Sequence, residues 1–478
     1  MSRKYYITTP IYYVNDKPHI GHAYTTVAAD VLARWHRHRG DEVFFLTGTD
    51  EHGAKVAESA VEAGQEPQEF VNEVAKLFRI AWKNLNIKYD NFIRTTSPEH
   101  HRAVGVFINK LKASNSIYED KYEGLYCVGC EKFITEKELV EGKCPVHNKK
   151  PKKIKEKNYF FKLTDYIEQV KELIVSGKMK ILPEERKKEV LGLFEQGMED
   201  FSVSREKVKW GIPLPFDKKQ NIYVWVEALQ NYISGIGYGE PSEKFSKWWP
   251  ADCHIMAKDI LKFHAIYWPA LLLAVGEPLP KEQFIHGFFT IDGKKMSKSL
   301  GNVINPNDLV NQYGSDATRY LLLSQFPFGQ DGDVKKSLFD EKYNSDLANG
   351  LGNLVSRTAN LMEKNDVGID TAQQPISNDK VDIINKQIEH YRFDEALKGI
   401  YGIISQANKY LDEQAPWKHT PDDKEKTTIV LQNVSDWIKT IAELIYPFMP
   451  ITSRRISQQF AGPSVKKEDG LFPRLSDK

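Results

Sequence analysis

Apolar and polar positions change their period along this chain. Tyr5 to Thr9 is β-branched and aromatic, which predicts a strand, and Pro10 to Pro18 reads as a loop. After Gly21, Val27, Val31 and Trp35 recur every four residues with Ala28 and Leu32 beside them. That is a helical stripe, and Gly40-Asp41 ends it. Val43 to Leu46 is an unbroken apolar run, as in a strand buried on both faces. Strand, helix, strand at this spacing predicts a βαβ unit of a parallel sheet.

From about Asn115 to Val224 the character shifts to turns, clustered cysteines and six lysines between Lys149 and Lys157, read as a solvated loop. The α/β pattern then resumes: Cys253 to Met256 as a strand, Ile260 to Val275 as a buried helix, Phe284 to His286 as a strand. A small module is therefore expected between two halves of one sheet. Beyond Asp340 the period is helical. Leu347, Leu351, Leu354, Thr358 and Leu361 share one face, and so do Phe393, Leu397, Ile400, Ile404 and Leu411. Val430, Val434, Trp437 or Ile438, Ile441 and Ile445 form a third stripe. Each stripe needs a cover, so a helix bundle is expected, with any function on its exposed residues.

The chain has 478 residues, 41% hydrophobic and 27% charged, enough for more than one core and too apolar for disorder. A net charge of +1 excludes a surface basic throughout, though not a local patch. Four cysteines argue against a disulfide scaffold and for a reducing, cytoplasmic setting. The N-terminus lacks the apolar run of a signal peptide, and Phe263 to Val275 is too short to span a bilayer.

Candidate chemistry comes from short motifs. His19-Ile20-Gly21-His22 lies where a loop becomes a helix, a place whose unpaired N–H groups suit phosphate. Gly21 permits close approach and both histidines can donate. Lys294, Lys295 and Lys298 sit on a loop bracketed by Gly293 and Gly301. Lysines there can follow charge as it moves toward a leaving pyrophosphate. Cys127-Val128-Gly129-Cys130 and Cys144-Pro145-Val146-His147 are two ligand pairs thirteen residues apart. Three thiolates and an imidazole predict one closed, structural zinc site.

His19 to His22 and Lys295-Met296-Ser297-Lys298-Ser299, in this order, resemble the two signatures of class I aminoacyl-tRNA synthetases. Further stretches point to the methionyl-tRNA synthetases in a short bacterial or organellar form. They are Pro10 to Asn15, Thr47 to Gly53, Tyr223 to Leu229, Lys258 to His264 and Asp412 to Trp417. The resemblance covers nearly the whole chain. It implies a Rossmann-type parallel-sheet catalytic domain (residues 1–114 and 225–290) interrupted by a connective module at 115–224 with a zinc knuckle at 127–147. The lysine loop and a stem-contact linker follow at 291–345. An all-α anticodon-binding bundle at 346–478 completes the α/β enzyme. Residue 257 is a departure, since many members have Gly where this chain has Ala.

The resemblance further implies ATP with Mg²⁺, L-methionine, and initiator and elongator methionine-accepting tRNA as partners, and no membrane. His19, His22, Lys295 and Lys298 are the expected catalytic residues, and with Gly21 they hold ATP. Asp50 is expected to take the methionine ammonium. Ile11, Tyr13, Trp225, Ala228, Leu229, Tyr232, Ile260 and His264 are expected to line the thioether slot. Asn353, Arg357 and Trp417 are the expected anticodon readers. The chain ends soon after the bundle, so the appended domain through which some relatives dimerise is not expected, and a monomer is. Two alternatives remain open at this point. A sister synthetase for Val, Ile or Leu needs a larger editing insertion. A non-catalytic RNA- or protein-binding paralogue has no use for intact signatures.

Overall fold

Six strands pair in parallel to form the central sheet. They are β1 (Lys4–Tyr13), β2 (Glu42–Asp50), β3 (Asn91–Arg94), β4 (Lys180–Leu182), β5 (Cys253–Ala257) and β6 (Glu282–His286). Their order is β3-β2-β1-β5-β6-β4. The computed structural model describes residues 3–129, 132–134, 136–145, 148–241, 243–296, 301–369 and 376–475. The strand order reverses at β1, so the carboxyl ends of β1 and β5 flank the crevice where open α/β sheets bind ligands. β1 does not stop at Thr9 as expected. It continues through Pro10 to Tyr13, because the β1–β2 register shifts between Thr8 and Ile11 and the proline sits in that irregularity.

The sheet is buried on both faces, which is why its strands read as apolar runs. Tyr6, Leu46 and Ile93 share one core with Phe107 and Trp268 from the helices Pro98–Ala113 and Trp268–Val275. Gly48 permits the β2–β3 contact, since a Cβ there would stand 2.1 Å from the Ile93 carbonyl oxygen.

A separate antiparallel sheet runs through Ile117–Cys127, Lys132–Ile134, Lys152–Phe161 and Phe201–Ser202. Most of the lysine cluster is therefore strand and not loop. Lys153 and Lys155 flank Glu123 at 2.9 and 3.3 Å, and Lys157 pairs with Glu119. Cross-strand carboxylates let a lysine-rich strand exist.

The zinc expectation is corrected. Among the described residues, no group of three or more His, Cys, Asp or Glu is placed to hold a metal ion. Cys130 and His147 lie outside the described residues. Cys127 and Cys144 are buried in a small apolar cluster with Ile134 and Leu139, where a thiol packs as a small hydrophobe.

By contact the chain divides into two compact units. One holds residues up to Pro18, Gly40–Trp82 and Lys88–His286; the other holds His19–Arg39, Lys83–Ile87 and the chain from Gly287 on. The second unit is mainly helical. Its elements include α1 (Ile20–His38), α2 (Ser315–Leu323), α3 (Asn353–Lys364), α4 (Asn378–Glu389), α5 (Phe393–Gln414), α6 (Lys424–Ile445) and α7 (Pro450–Gln459). The stripes read from the sequence on α5 and α6 are buried throughout. Among the described residues, no helix is long and apolar enough to cross a membrane.

Candidate active site

In the first unit, the ends of β1 and β2 bring Tyr13 beside Asp50 and Ile11 beside Gly48. The short helix Val224–Leu229 carries Trp225, Ala228 and Leu229, and Tyr232 follows on the next turn. Trp225 stacks on Phe263 at 3.9 Å between ring centroids. Beyond β5 the chain makes a tight turn at Lys258–Ile260 and then a π-helical stretch, Phe263–Tyr267, that holds His264. Helical irregularities of this kind gather at functional sites. The Tyr6 hydroxyl donates to the Tyr232 carbonyl at 2.6 Å, and the Tyr232 and His254 rings lie 4.1 Å apart. Thr8 meets His254 Nδ1 at 2.7 Å, so β1, which ends in Ile11 and Tyr13, also holds the ring that packs on Tyr232.

One proton among these residues is fixed by geometry. His264 Nδ1 lies 2.9 Å from the Ile260 carbonyl, which can only accept, so Nδ1 carries the hydrogen. Neutral His264 therefore accepts at Nε2 from the Tyr232 hydroxyl, 2.7 Å away. Burial pushes the His264 imidazole down to about 4, and it raises the Tyr232 phenol. Both groups are neutral at pH 7. Ile11, Trp225 and Ile260 pack on the core while only partly buried, which leaves apolar surface for a ligand. Ala257 adopts ordinary extended backbone (φ −83°, ψ 159°), so glycine is not required there.

The signature residues belong to the second unit. His19 is the N-cap of α1, and its Nδ1 accepts from the Gly21 N–H at 3.1 Å. His22 Nδ1 accepts from the His19 N–H at 3.2 Å, which closes a reciprocal capping box. The two rings stack with centroids 3.7 Å apart. With both Nδ1 atoms accepting, each neutral ring carries its proton on Nε2. Burial, reinforced by His19, keeps the His22 imidazole well below its ordinary range. A Cβ on residue 21 would stand 2.9 Å from the His19 ring, so Gly21 permits this cap.

The lysine motif starts as a hairpin. Phe289–Ile291 turns through Asp292 and Gly293, both at positive φ, into Lys294–Lys295. An Asp-Gly pair suits such a two-residue turn. Asp333 accepts from the Gly293 N–H at 2.7 Å and from the Thr290 hydroxyl at 2.6 Å. Lys295 pairs through its backbone with Thr290, and Lys298 lies outside the described residues.

On the bundle, Asn353 and Arg357 lie one turn apart on α3. Arg357 donates to Asp412 at 2.7 Å and sits over the Trp417 ring, 5.0 Å from its centroid. Ala415 in left-handed backbone ends α5, and Pro416 is buried, which presents Trp417 at the surface with 46% exposure.

His52 and Glu227 lie inside the family-like stretches Thr47 to Gly53 and Tyr223 to Leu229 without an expected role, and His100 lies in none of them. All three are buried, and Glu227 accepts from His52 Nδ1 at 2.9 Å and from His100 Nε2 at 2.8 Å. Burial alone would raise the Glu227 carboxyl, but the two imidazoles outweigh it and hold it below its ordinary range. A buried-type Glu in an otherwise apolar helix, Val-Trp-Val-Glu-Ala-Leu, was the available signal.

Comparison with known proteins places these features in a family. The model described as "tRNA synthetases class I (M)" matches residues 5–153 and 146–359. A second, "Anticodon-binding domain of tRNA ligase", matches residues 377–473. The methionine–tRNA ligase of Clostridium perfringens is 45% identical, over 99% of this chain and 78% of its own length. That of Nostoc sp. is 42% identical, over 98% of this chain and 92% of its own. Among solved structures, Mycobacterium tuberculosis methionyl-tRNA synthetase in complex with methionyl-adenylate superposes with a TM-score of 0.93 at 35% identity. That match covers 99% of this chain and 100% of the other. The free form of the same enzyme gives a TM-score of 0.86 at 32% identity, covering 100% and 99%.

Proposed function

The chain belongs to the class I methionyl-tRNA synthetases, and from that premise we propose how its residues divide the reaction. A methionine carboxylate oxygen attacks the α-phosphorus of ATP; pyrophosphate leaves and methionyl-adenylate remains. A terminal ribose hydroxyl of tRNA then attacks the acyl carbon, and AMP leaves. The observation that carries this activity is similarity along 99% of the chain to a ligase of this specificity. No protein nucleophile is needed, so the residues act by positioning and by meeting charge as it develops.

Asp50 takes the methionine ammonium, supported by its place at the end of β2 beside Tyr13. The thioether enters the slot of Ile11, Tyr13, Trp225, Ala228, Leu229, Tyr232, Ile260 and His264. The neutral Tyr232–His264 pair supports this role, because a charged group would oppose an apolar ligand. His19 and His22 donate from Nε2 to phosphate oxygens, and Gly21 allows the approach. Lys295 and Lys298 follow charge onto the departing pyrophosphate. Arg357 and Trp417, with Asn353 one turn away, read unpaired anticodon bases by stacking and hydrogen bonding. The catalytic work is assigned to residues 1–345 and anticodon reading to 346–478. We place the reaction in the cytoplasm, because four cysteines in 478 residues suit a reducing compartment.

ATP–pyrophosphate exchange with single amino acids tests the reading. Methionine should support exchange. Homocysteine, one carbon smaller, should support it with kcat/KM lower by only about 10- to 200-fold, because an apolar slot discriminates weakly against a missing methyl. Exchange driven better by valine, isoleucine or leucine would overturn the pocket. Lys298→Ala should lower the adenylation rate while methionine affinity holds, since its contact strengthens only in the transition state.

A further inference from the structure

Two segments must keep one spacing if the pocket is to fit methionine. One carries Asp50 at the end of β2. The other is the helix Val224–Leu229, which carries Trp225, Ala228 and Leu229. These segments are far apart in the chain and share no strand pairing. What joins them is the carboxylate of Glu227. It accepts from His52, two residues after Asp50, at 2.9 Å, and from His100 at 2.8 Å. His100 in turn meets the Ser234 hydroxyl at 2.8 Å, in the helix that follows and carries Tyr232.

The Asp50 segment is fixed from its other side as well. Fully buried Glu51 accepts from Thr49 at 2.6 Å, from Arg94 at 2.7 and 2.9 Å, and from the Thr96 hydroxyl. Its N–H donates to Thr95 at 2.9 Å and its carbonyl accepts from Trp210 at 2.6 Å. Asp50 therefore lies next to one locked residue, Glu51, and two positions from another, His52.

We propose that Glu227 is a positioning residue for methionine: it clamps the helix of Trp225, Ala228 and Leu229 to the Asp50–His52 segment through His52, and to Ser234 through His100. The proposal rests on the pocket reading given above. A buried carboxylate held by polar partners adds little stability over apolar packing of equal volume. A fixed geometry is the better account of why a carboxylate stands between two buried imidazoles. Both oxygens are used, each by a ring that must donate to it, so the carboxylate sets the orientation of both rings.

Glu227→Gln keeps the shape but turns an amide N–H toward a ring N–H. In pyrophosphate exchange its methionine KM should rise about tenfold, as expected when binding of the ground state and of the transition state is weakened equally. Its ATP KM, and its kcat at saturating methionine, should stay within about twofold of the parent because the clamp touches neither ATP nor the reacting atoms. His100→Leu, which removes one arm, should raise methionine KM in the same way. His100→Gln, whose amide N–H can replace Nε2, should restore it, and this pair tests the clamp even if Glu227→Gln fails to fold. A lower melting temperature with parental methionine KM in Glu227→Gln and His100→Leu would overturn the proposal and leave Glu227 a core residue. Asp50→Asn and Trp225→Ala serve as the separate check on the pocket. If neither changes methionine KM, the pocket assignment itself falls, and the clamp with it.

Discussion

His264 donates through Nδ1 to the Ile260 carbonyl and accepts at Nε2 from Tyr232, an arrangement that needs an uncharged ring. Burial lowers this imidazole from an ordinary value of 6.5 to about 4. The sign of the consequence follows from proton binding. Between pH 6.5 and about 4 the unfolded chain takes up a proton that the folded ring refuses. The stability is fully present above 6.5 and is lost as pH falls toward 4. The full effect is roughly 3 kcal/mol, at about 1.4 kcal/mol per unit. His22 and His254 are lowered by burial as well and act with the same sign. Urea unfolding of the parent and of His264→Asn across this range should give curves that diverge, with the variant less dependent on pH. Parallel curves would show that His264 titrates normally in the fold.

Among the elements, α2 carries a buried arginine that ties together several parts of the second unit. Fully buried Arg319 pairs with Asp30 of α1 at 2.7 Å, and Asp30 also takes Arg34 at 2.6 Å. Arg319 further donates to the carbonyls of Phe448, Pro447 and Leu85 at 2.7, 2.9 and 3.2 Å. Burial lowers the Arg319 guanidinium, and Asp30 offsets that. Arg319→Leu should destabilise by about 3–5 kcal/mol, because a buried carboxylate loses a partner and three carbonyls lose a donor. A shift in the urea midpoint measures it. The double variant with Asp30→Leu should cost less than the sum of the two single changes. Additive losses would mean that the pair does not interact. Periodicity revealed α1 on one side of this contact but not α2, which lies within 291–345, a stretch expected only as lysine loop and linker, and nothing in a one-dimensional pattern joins residue 30 to residue 319. The same holds for Glu227, whose partners stand 175 and 127 positions away. Local departures from rule were hidden for a different reason. Pro10 reads as a strand breaker until the register shift around it is seen, and the lysines between Lys149 and Lys157 read as a loop until Glu119 and Glu123 of the neighbouring strand pair with three of them. The signature motifs and the apolar stripes needed no partner to be legible, because their spacing is local.

For the whole molecule, the two chemical steps make different demands on the chain. Adenylate formation needs ATP and methionine, whereas transfer also needs tRNA, and the expected base readers stand on α3 and just after α5. Trp417 is exposed at 46%, with the Arg357 guanidinium 5.0 Å from its ring centroid, so much of its ring faces solvent. Trp417→Ala should therefore leave ATP–pyrophosphate exchange at the parental rate and lower tRNA charging. Stacking one base on an aromatic ring is worth roughly 1–3 kcal/mol, which corresponds to about a 5- to 150-fold loss in kcat/KM for tRNA. The defect should shrink on a tRNA whose anticodon has been altered, since the missing contact then no longer discriminates. Asn353→Ala should act in the same direction, and the two changes should be non-additive if they meet neighbouring bases. If Trp417→Ala instead lowers the melting temperature and slows exchange and charging equally, Trp417 holds the bundle together and another surface reads the anticodon.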